Sequence, residues 1–261
     1  MIELSRTLEL KRDQIMVLVA KDFKLKYDAT ALGMLWAMII PLLMSAVYYF
    51  VFGVILNLET TGGPFALYLI CGNFLWHFFS SVVMQNGNVL MGNAALLKKT
   101  SFDRRLLIWG TFFTESIHFL LTMPILFGIM IAFGVKPDWL TFFPNVLAVI
   151  FSMMFFSVGF SYLYAALNLY FRDLQRIMSV VMMIWLYASF VFIPVSRIPE
   201  KWFWICDVNP VAVMIRVWRD AFFAPAFEPW LYLNLAVSSI IMFFVGRYVF
   251  RRFESRFATM M

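Results

Sequence analysis

The stretch LGMLWAMIIPLLMSAVYYFVFGVIL, Leu32–Leu56, holds nothing but apolar residues, glycine, proline and serine. From Met34 to Leu56 it would measure roughly 34 Å as an α-helix at about 1.5 Å per residue. A hydrocarbon core is about 30 Å thick, so this run crosses a membrane with some tilt. Five further apolar runs follow: Phe65–Met84, broken by Asn73 and His77; Leu106–Phe133, with Glu115, His118 and Pro124; Phe142–Tyr170; Ile177–Val195; and Trp230–Phe250. The runs are continuously apolar and do not alternate, which disfavours a β-barrel. The expected fold is an all-α membrane protein of six transmembrane helices, near 34–56, 65–84, 106–133, 142–170, 177–195 and 230–250. Residues 1–33 form a cytoplasmic interface segment ahead of the transmembrane domain 34–250, and 251–261 form a tail.

Composition agrees. Of the 261 residues 63% are hydrophobic and 14% charged, with mean hydropathy +0.83, outside the range of soluble domains. The aromatic load of 31 Phe, 10 Tyr and 9 Trp suits lipid-facing and interfacial surfaces. Sixteen of the 21 Lys and Arg residues fall before the first run, in the second and fourth connections and in the tail. The other side keeps Lys136, Arg197, Lys201, Arg216 and Arg219. The positive-inside rule then places both termini in the cytoplasm, as an even number of spans requires. The net charge of +6 is therefore topological and does not signal nucleic acid. No cleavable signal peptide is expected, because the first apolar run is too long for one. Cys71 and Cys206 are too few for a disulfide framework or metal cluster, and free thiols are expected.

Ahead of the first run, Met16, Val19, Ala20, Phe23 and Tyr27 make one helical stripe. The segment is too charged to span, and an amphipathic helix lying flat on the cytoplasmic face is expected. Asn88–Arg105, NVLMGNAALLKKTSFDRR, could form a short amphipathic helix after Asn93. Between the fifth and sixth runs, Ile193–Phe227 is punctuated by prolines and crowded with rings. Two short helices are expected there, dipping into the membrane or packing across the outer mouth. Its rings suit an outer interfacial belt or, alternatively, sugar stacking.

No phosphate loop, dinucleotide fingerprint, zincin motif or nucleophile elbow is present. Two histidines cannot build a multi-histidine metal site. Glu115 and His118 share a helical face. An acid within a span is a functional candidate by default. A structural hydrogen bond is favoured over a proton relay, since no second intramembrane acid completes one. Inverted repeats and midplane polar clusters, the marks of secondary transporters, are missing, which favours a permease driven by a separate ATPase.

Three motifs together resemble the permeases of ABC exporters that move bacterial polysaccharides. Lys21–Pro41, KDFKLKYDATALGMLWAMIIP, is similar to their opening pattern through Lys21, Asp22, Lys24, Lys26, Tyr27, Leu32, Gly33, Trp36 and Pro41. Asn93, Leu96, Lys99, Phe102 and Arg104 match the cytoplasmic coupling helix of that family, with Asp103 where proline is usual. Tyr170–Asp173 resembles the Tyr-x-Arg-Asp step, so that Arg172 and Asp173 join the ATPase-coupling set. Ile198–Pro199, Asn209–Pro210 and Arg219 resemble the outer gate. The resemblance implies a homodimer with two copies of a separate ABC ATPase, which binds ATP and Mg; no cofactor is expected in this chain. It implies a lipid-linked polysaccharide as substrate, O-antigen first, with teichoic acid and capsule in the same class, crossing the inner membrane between protomers. Rings of the first and fifth spans (Trp36, Tyr48, Tyr49, Trp185, Tyr187, Phe190) would then offer sliding contacts. Lys24, Lys26 and Arg104 would meet a pyrophosphate at the entrance. A lipid or drug permease, or a membrane-embedded glycan or lipid transferase, remains the alternative.

Overall fold

The computed structural model describes residues 2–28, 30–60, 63–97, 102–171, 173–223, 228–254 and 257, with side chains from residue 9 onward. Among these residues the chain is helical, without strands. Five helices are long and apolar enough to cross a membrane: α2 (Gly33–Ile55), α3 (Phe65–Gly92), α5 (Arg105–Ala132), α6 (Trp139–Tyr170) and α10 (Pro229–Glu254). A shorter apolar helix, α7 (Leu174–Ala188), stands where the fifth span was expected. The remaining helices are α1 (Ile2–Tyr27), α4 (Ala94–Leu97), α8 (Phe203–Val208) and α9 (Pro210–Asp220).

Helix α3 is the hub of the bundle, while α2 lies on its outside with most of its apolar surface uncovered. Pro41 gives up one backbone hydrogen bond within α2. At the same turn, Ser45 Oγ donates to the Pro41 carbonyl (2.7 Å), and Asn73 of α3 donates to Ser45 Oγ (2.8 Å) and to the same carbonyl (3.3 Å). Asn73, which interrupts an apolar run, is therefore the staple between α2 and α3. The last turns of α2, Tyr49–Ile55, widen into a π-helix.

Helices α6 and α10 approach closest of all. A Cβ on Gly246 would stand 1.9 Å from the Gly159 carbonyl oxygen, and one on Gly159 would stand 2.5 Å from the Phe243 Cα. Without a hydrophobic driving force between helices inside lipid, such small-residue crossings let dispersion hold them together.

Two expectations need correction. The fifth apolar run does not continue helically to Val195: α7 stops at Ala188, Phe190 takes a left-handed conformation (φ 50°), and Pro194 follows. Fifteen residues make about 22 Å of helix, short of the hydrocarbon thickness. The second span, by contrast, extends to Gly92, because Asn86 and Gly87 find partners on α6: Asn86 donates to Ser161 Oγ (3.1 Å), and Asn168 donates to the Gly87 carbonyl (2.8 Å).

Helix α1 packs against α5 and the connection before it. Lys11 pairs with Asp103 (3.2 Å), Leu18 faces Gly110, where a Cβ would come within 3.1 Å, Lys26 pairs with Glu115 (2.6 Å), and the Tyr27 hydroxyl meets His118 Nε2 (2.9 Å). The partners advance together along both chains at a nearly constant offset. Helices α1 and α5 therefore run side by side in the same direction. The expected single apolar stripe is also incomplete, since Met16, Val17 and Leu25 are exposed. Asp103, Glu115 and the groove at Gly110 give α1 a protein partner along one side.

Candidate functional site

The basic end of the bundle gathers most of the residues of the coupling motif. Asn93 Nδ2 donates to the Val89 carbonyl (2.9 Å), and its Oδ1 accepts from Lys21 Nζ (2.5 Å), so this one side chain joins the end of α3 to α1. The expected amphipathic helix is the single turn α4; Leu97 is buried in the core, and Leu96 and Phe102 pack against it. Lys99 and Arg172 lie outside the described residues. Asp173 precedes α7 without capping it through its side chain. Arg104 Nη1 donates to the Glu254 carbonyl (2.5 Å), tying the connection to the end of α10. Between α1 and the connection runs a groove of about 540 Å³ lined by Leu10, Val17, Leu18, Leu96 and Phe102.

Asp103, where the family pattern has proline, works as a polar anchor. Its carboxylate accepts from the Arg105 backbone N–H (3.2 Å) and from Nε and Nη2 of the Arg105 side chain (both 2.8 Å), and pairs with Lys11. Burial alone would raise its pKa, but Arg105 and Lys11 outweigh burial and hold the carboxyl below its ordinary value. A depressed acid contributes stability that is present above its unfolded pKa and fades only as pH falls through the folded one. The clamp between α1 and α5 is thus expected to be flat across neutral pH and to open only in strong acid. Asp103→Ala is expected to cost about 1–2 kcal/mol and to speed proteolysis of α1. A protease time course identical to wild type would refute the clamp.

Above the anchor, Lys26, Tyr27, Glu115 and His118 form one network. Glu115 Oε1 accepts from Lys26 Nζ and meets His118 Nδ1 (3.2 Å), while His118 Nε2 meets Tyr27. The acid expected to stand alone in a span has its cation on the last turn of α1. Glu115→Gln is expected to retain export, since a neutral amide still serves as hydrogen-bond partner. Complete loss with normal expression would assign a proton relay instead. Lys24 is exposed and makes no hydrogen bond or ion pair among the described residues.

The opposite end is organised by Asn209 and Arg219. Asn209 caps α9 by accepting from Val211 N–H (3.1 Å), ahead of Pro210 at the first helical position. The same Oδ1 accepts from Trp185 Nε1 (2.9 Å), and its amide donates to the Ala188 carbonyl (3.1 Å) and to Ser189 Oγ (3.0 Å). Arg219, 5% exposed, donates to the carbonyls of Tyr68 (3.1 Å), Phe190 (3.4 Å) and Val191 (2.5 Å) and lies 3.6 Å over the Tyr68 ring. Both side chains grip the broken end of α7. Pro199 opens a short 3-10 turn nearby. Gly72 is the residue that sequence reasoning missed: a Cβ there would sit 2.3 Å from Arg219 Nη2. A lone glycine in an apolar run was the available signal.

The rings expected to guide substrate divide. Tyr48 packs 4.2 Å from Phe192, Tyr49 lies 6.4 Å from Phe65, and Trp185 is wedged among Phe79, Phe156 and Phe160 while bonded to Asn209. Tyr187 is exposed, and Trp36 is 39% exposed. Phe190 serves through its carbonyl and its left-handed backbone. Both cysteines are buried free thiols.

A family profile described as ABC-2 type transporter matches residues 13–223. A Klebsiella pneumoniae protein named O-antigen export system permease protein RfbA is 32% identical over 248 residues, 94% of each chain. A Myxococcus xanthus protein of the same name is 28% identical over 264 residues, 99% of each. More distantly, the polysialic acid transport protein KpsM of Escherichia coli is 19% identical over 253 residues, 96% of this chain and 97% of its own. The chain belongs to the ABC-2 type transporter family, as a membrane permease and not an ATPase.

Proposed function

We propose that this permease moves a lipid-linked polysaccharide, O-antigen first among that class, across the bacterial inner membrane as a homodimer driven by two copies of a separate ABC ATPase. Membership of an ABC transporter family implies an ATPase partner. The choice of cargo follows the names of the relatives. In this reading the basic end faces the cytoplasm, the five long helices and α7 with its following segment make six crossings, and α8 and α9 form the outer gate. The surfaces of α2 and α7 left uncovered in the single chain face the second protomer and the glycan path, where Tyr187 offers a ring.

The observation that carries the reading is the groove beside α4. Leu10 and Val17 are exposed at the end of the bundle that also bears Lys11, Arg104 and Arg105. An apolar groove in that position suits a protein partner. Pressure there passes directly into α1, α3 and α5 through Asn93, Asp103 and Leu97. The ATPase bound below would supply the work, and this chain the path.

Reconstitution of the permease with the neighbouring ATPase in proteoliposomes, with lipid-linked glycan supplied on the ATPase side, tests the proposal. ATP-dependent appearance of glycan on the far side is expected; transport without the ATPase, or none with it, would end it. Phe102→Ala is expected to lower export about tenfold or more while ATP hydrolysis continues. Wild-type export by an intact complex of that variant would remove Phe102 from the docking surface.

A further inference from the structure

Four elements line a half-open cavity of about 380 Å³ against the charged network, whose Lys26 also faces it. Each contributes one face at helical spacing: Trp36, Ala37 and Ile40 from α2; His77, Ser81 and Gln85 from α3; Glu115, His118 and Phe119 from α5; and Tyr27 from the end of α1. The volume falls in the range of small-ligand sites, which are mostly apolar with a few placed polar groups.

Several polar groups at this space keep atoms without a partner among the described residues. Among the described residues, the Gln85 carboxamide has no hydrogen-bond partner, and Glu115 bonds through Oε1 alone, leaving its second oxygen without one. His77 meets Ser81 through Nδ1 (3.4 Å), which leaves Nε2 without a partner. Pro41, having no N–H, cannot donate to the Ala37 carbonyl one turn earlier, so α2 presents a further acceptor at the wall. Beside them stands the indole of Trp36.

These groups select a ligand class. A phosphate brings only acceptors, and here it would face a carboxylate whose lysine is already bound. A hydrocarbon tail would leave Gln85, Glu115 and His77 unsatisfied, at a cost in low dielectric. A hydroxylated ring fits: its O–H groups donate to the acceptors and accept from the amide, while its apolar C–H face lies on the indole. We propose that this cavity is a saccharide subsite, holding a mono- or disaccharide unit of the glycan beside the turn where α1 passes into α2. The proposal rests on the export reading given above and names the place in each protomer where the sugar, as distinct from its carrier, is first recognised.

The test uses the full-length protein in lipid nanodiscs free of sugar detergents. The probes are lipid-free oligosaccharides cut from the surface polysaccharide of the source bacterium, followed by saturation-transfer NMR. Wild type is expected to bind, and Gln85→Leu and Trp36→Leu are each expected to weaken binding about tenfold with unchanged Tm. Gln85 makes no hydrogen bond among the described residues, so its replacement is expected to leave folding intact. Binding that persists at wild-type strength in both variants would overturn the site. Displacement of the sugar by inorganic pyrophosphate would instead mark an anion site and overturn it too. Binding of lipid-linked glycan without any binding of the lipid-free form would place recognition on the carrier and refute the subsite. Failure of all saccharide binding by a permease that still exports glycan with its ATPase refutes the subsite alone; failure of export as well refutes the export reading.

Discussion

Gly246→Ala is expected to abolish the folded permease, although it adds one methyl group. Gly246 and Gly159 meet backbone to backbone where α10 crosses α6, and the new Cβ would stand 1.9 Å from the Gly159 carbonyl oxygen. Comfortable carbon contacts lie near 3.5–4.0 Å, so the helices must separate by roughly 1–2 Å. No rotamer relieves this, because the backbone fixes the position of a Cβ and the oxygen is itself a backbone atom. Separation would strip the contacts beside the crossing, where Phe243 packs on Phe155 (5.3 Å) and Tyr162 on Phe250 (5.0 Å). The cost should exceed the ~1–3 kcal/mol of ordinary overpacking. Gly128→Ala supplies the control: nothing lies within 4 Å of its Cβ, and alanine in place of an interior helical glycine gains about 0.8–1.0 kcal/mol. Monodisperse yield and Tm of the two variants should therefore move in opposite directions. A Gly246→Ala protein as stable as wild type would refute the close crossing.

Hydropathy reveals spans because burial in lipid acts on each residue separately, and five of the six apolar runs coincide with long helices within a few residues, apart from the polar extension of α3. It fails where the outcome depends on pairs. Ser189–Val195 is as apolar as any span, but apolarity says only that a segment avoids water, and Phe190 and Pro194 turn the backbone away from helix. The run of apolar residues stops at Met84, yet the polar Asn86 and Asn88 lie on helix that α6 meets through Ser161 and Asn168. The clamp of α1 on α5 joins residues about ninety positions apart, and no local pattern marks Lys26 as the partner of Glu115. Motif resemblance singled out Asn209 and Arg219, which composition alone does not mark. It named the residues without their geometry, and the grip on α7 became visible only with the fold.

Arg219→Leu is expected to eliminate export, and the reason lies in how the cation is compensated. No carboxylate pairs with it among the described residues. Its charge is met by three carbonyls and the face of Tyr68. The carbonyls of Phe190 and Val191 lie on non-helical backbone beyond the end of α7, where no helical N–H is placed to serve them. Leucine would fill part of the volume and leave both buried acceptors open, at about 1–3 kcal/mol each. Lysine would keep the charge but cannot reach several carbonyls from one ammonium or lie flat on a ring, so Arg219→Lys should rescue little. Gly72→Ala attacks the same pocket from α3, pushing the guanidinium off its carbonyls, and should reproduce the Arg219→Leu phenotype. Because the basic end lies at the far side of the bundle, these variants should still bind the ATPase. Loss of export with retained complex, in all three variants, is therefore the expected result, measured by co-purification and by glycan transport. If Arg219→Lys exported normally, charge alone would suffice, and the three-carbonyl grip would not be what holds the C-terminal end of α7 in place.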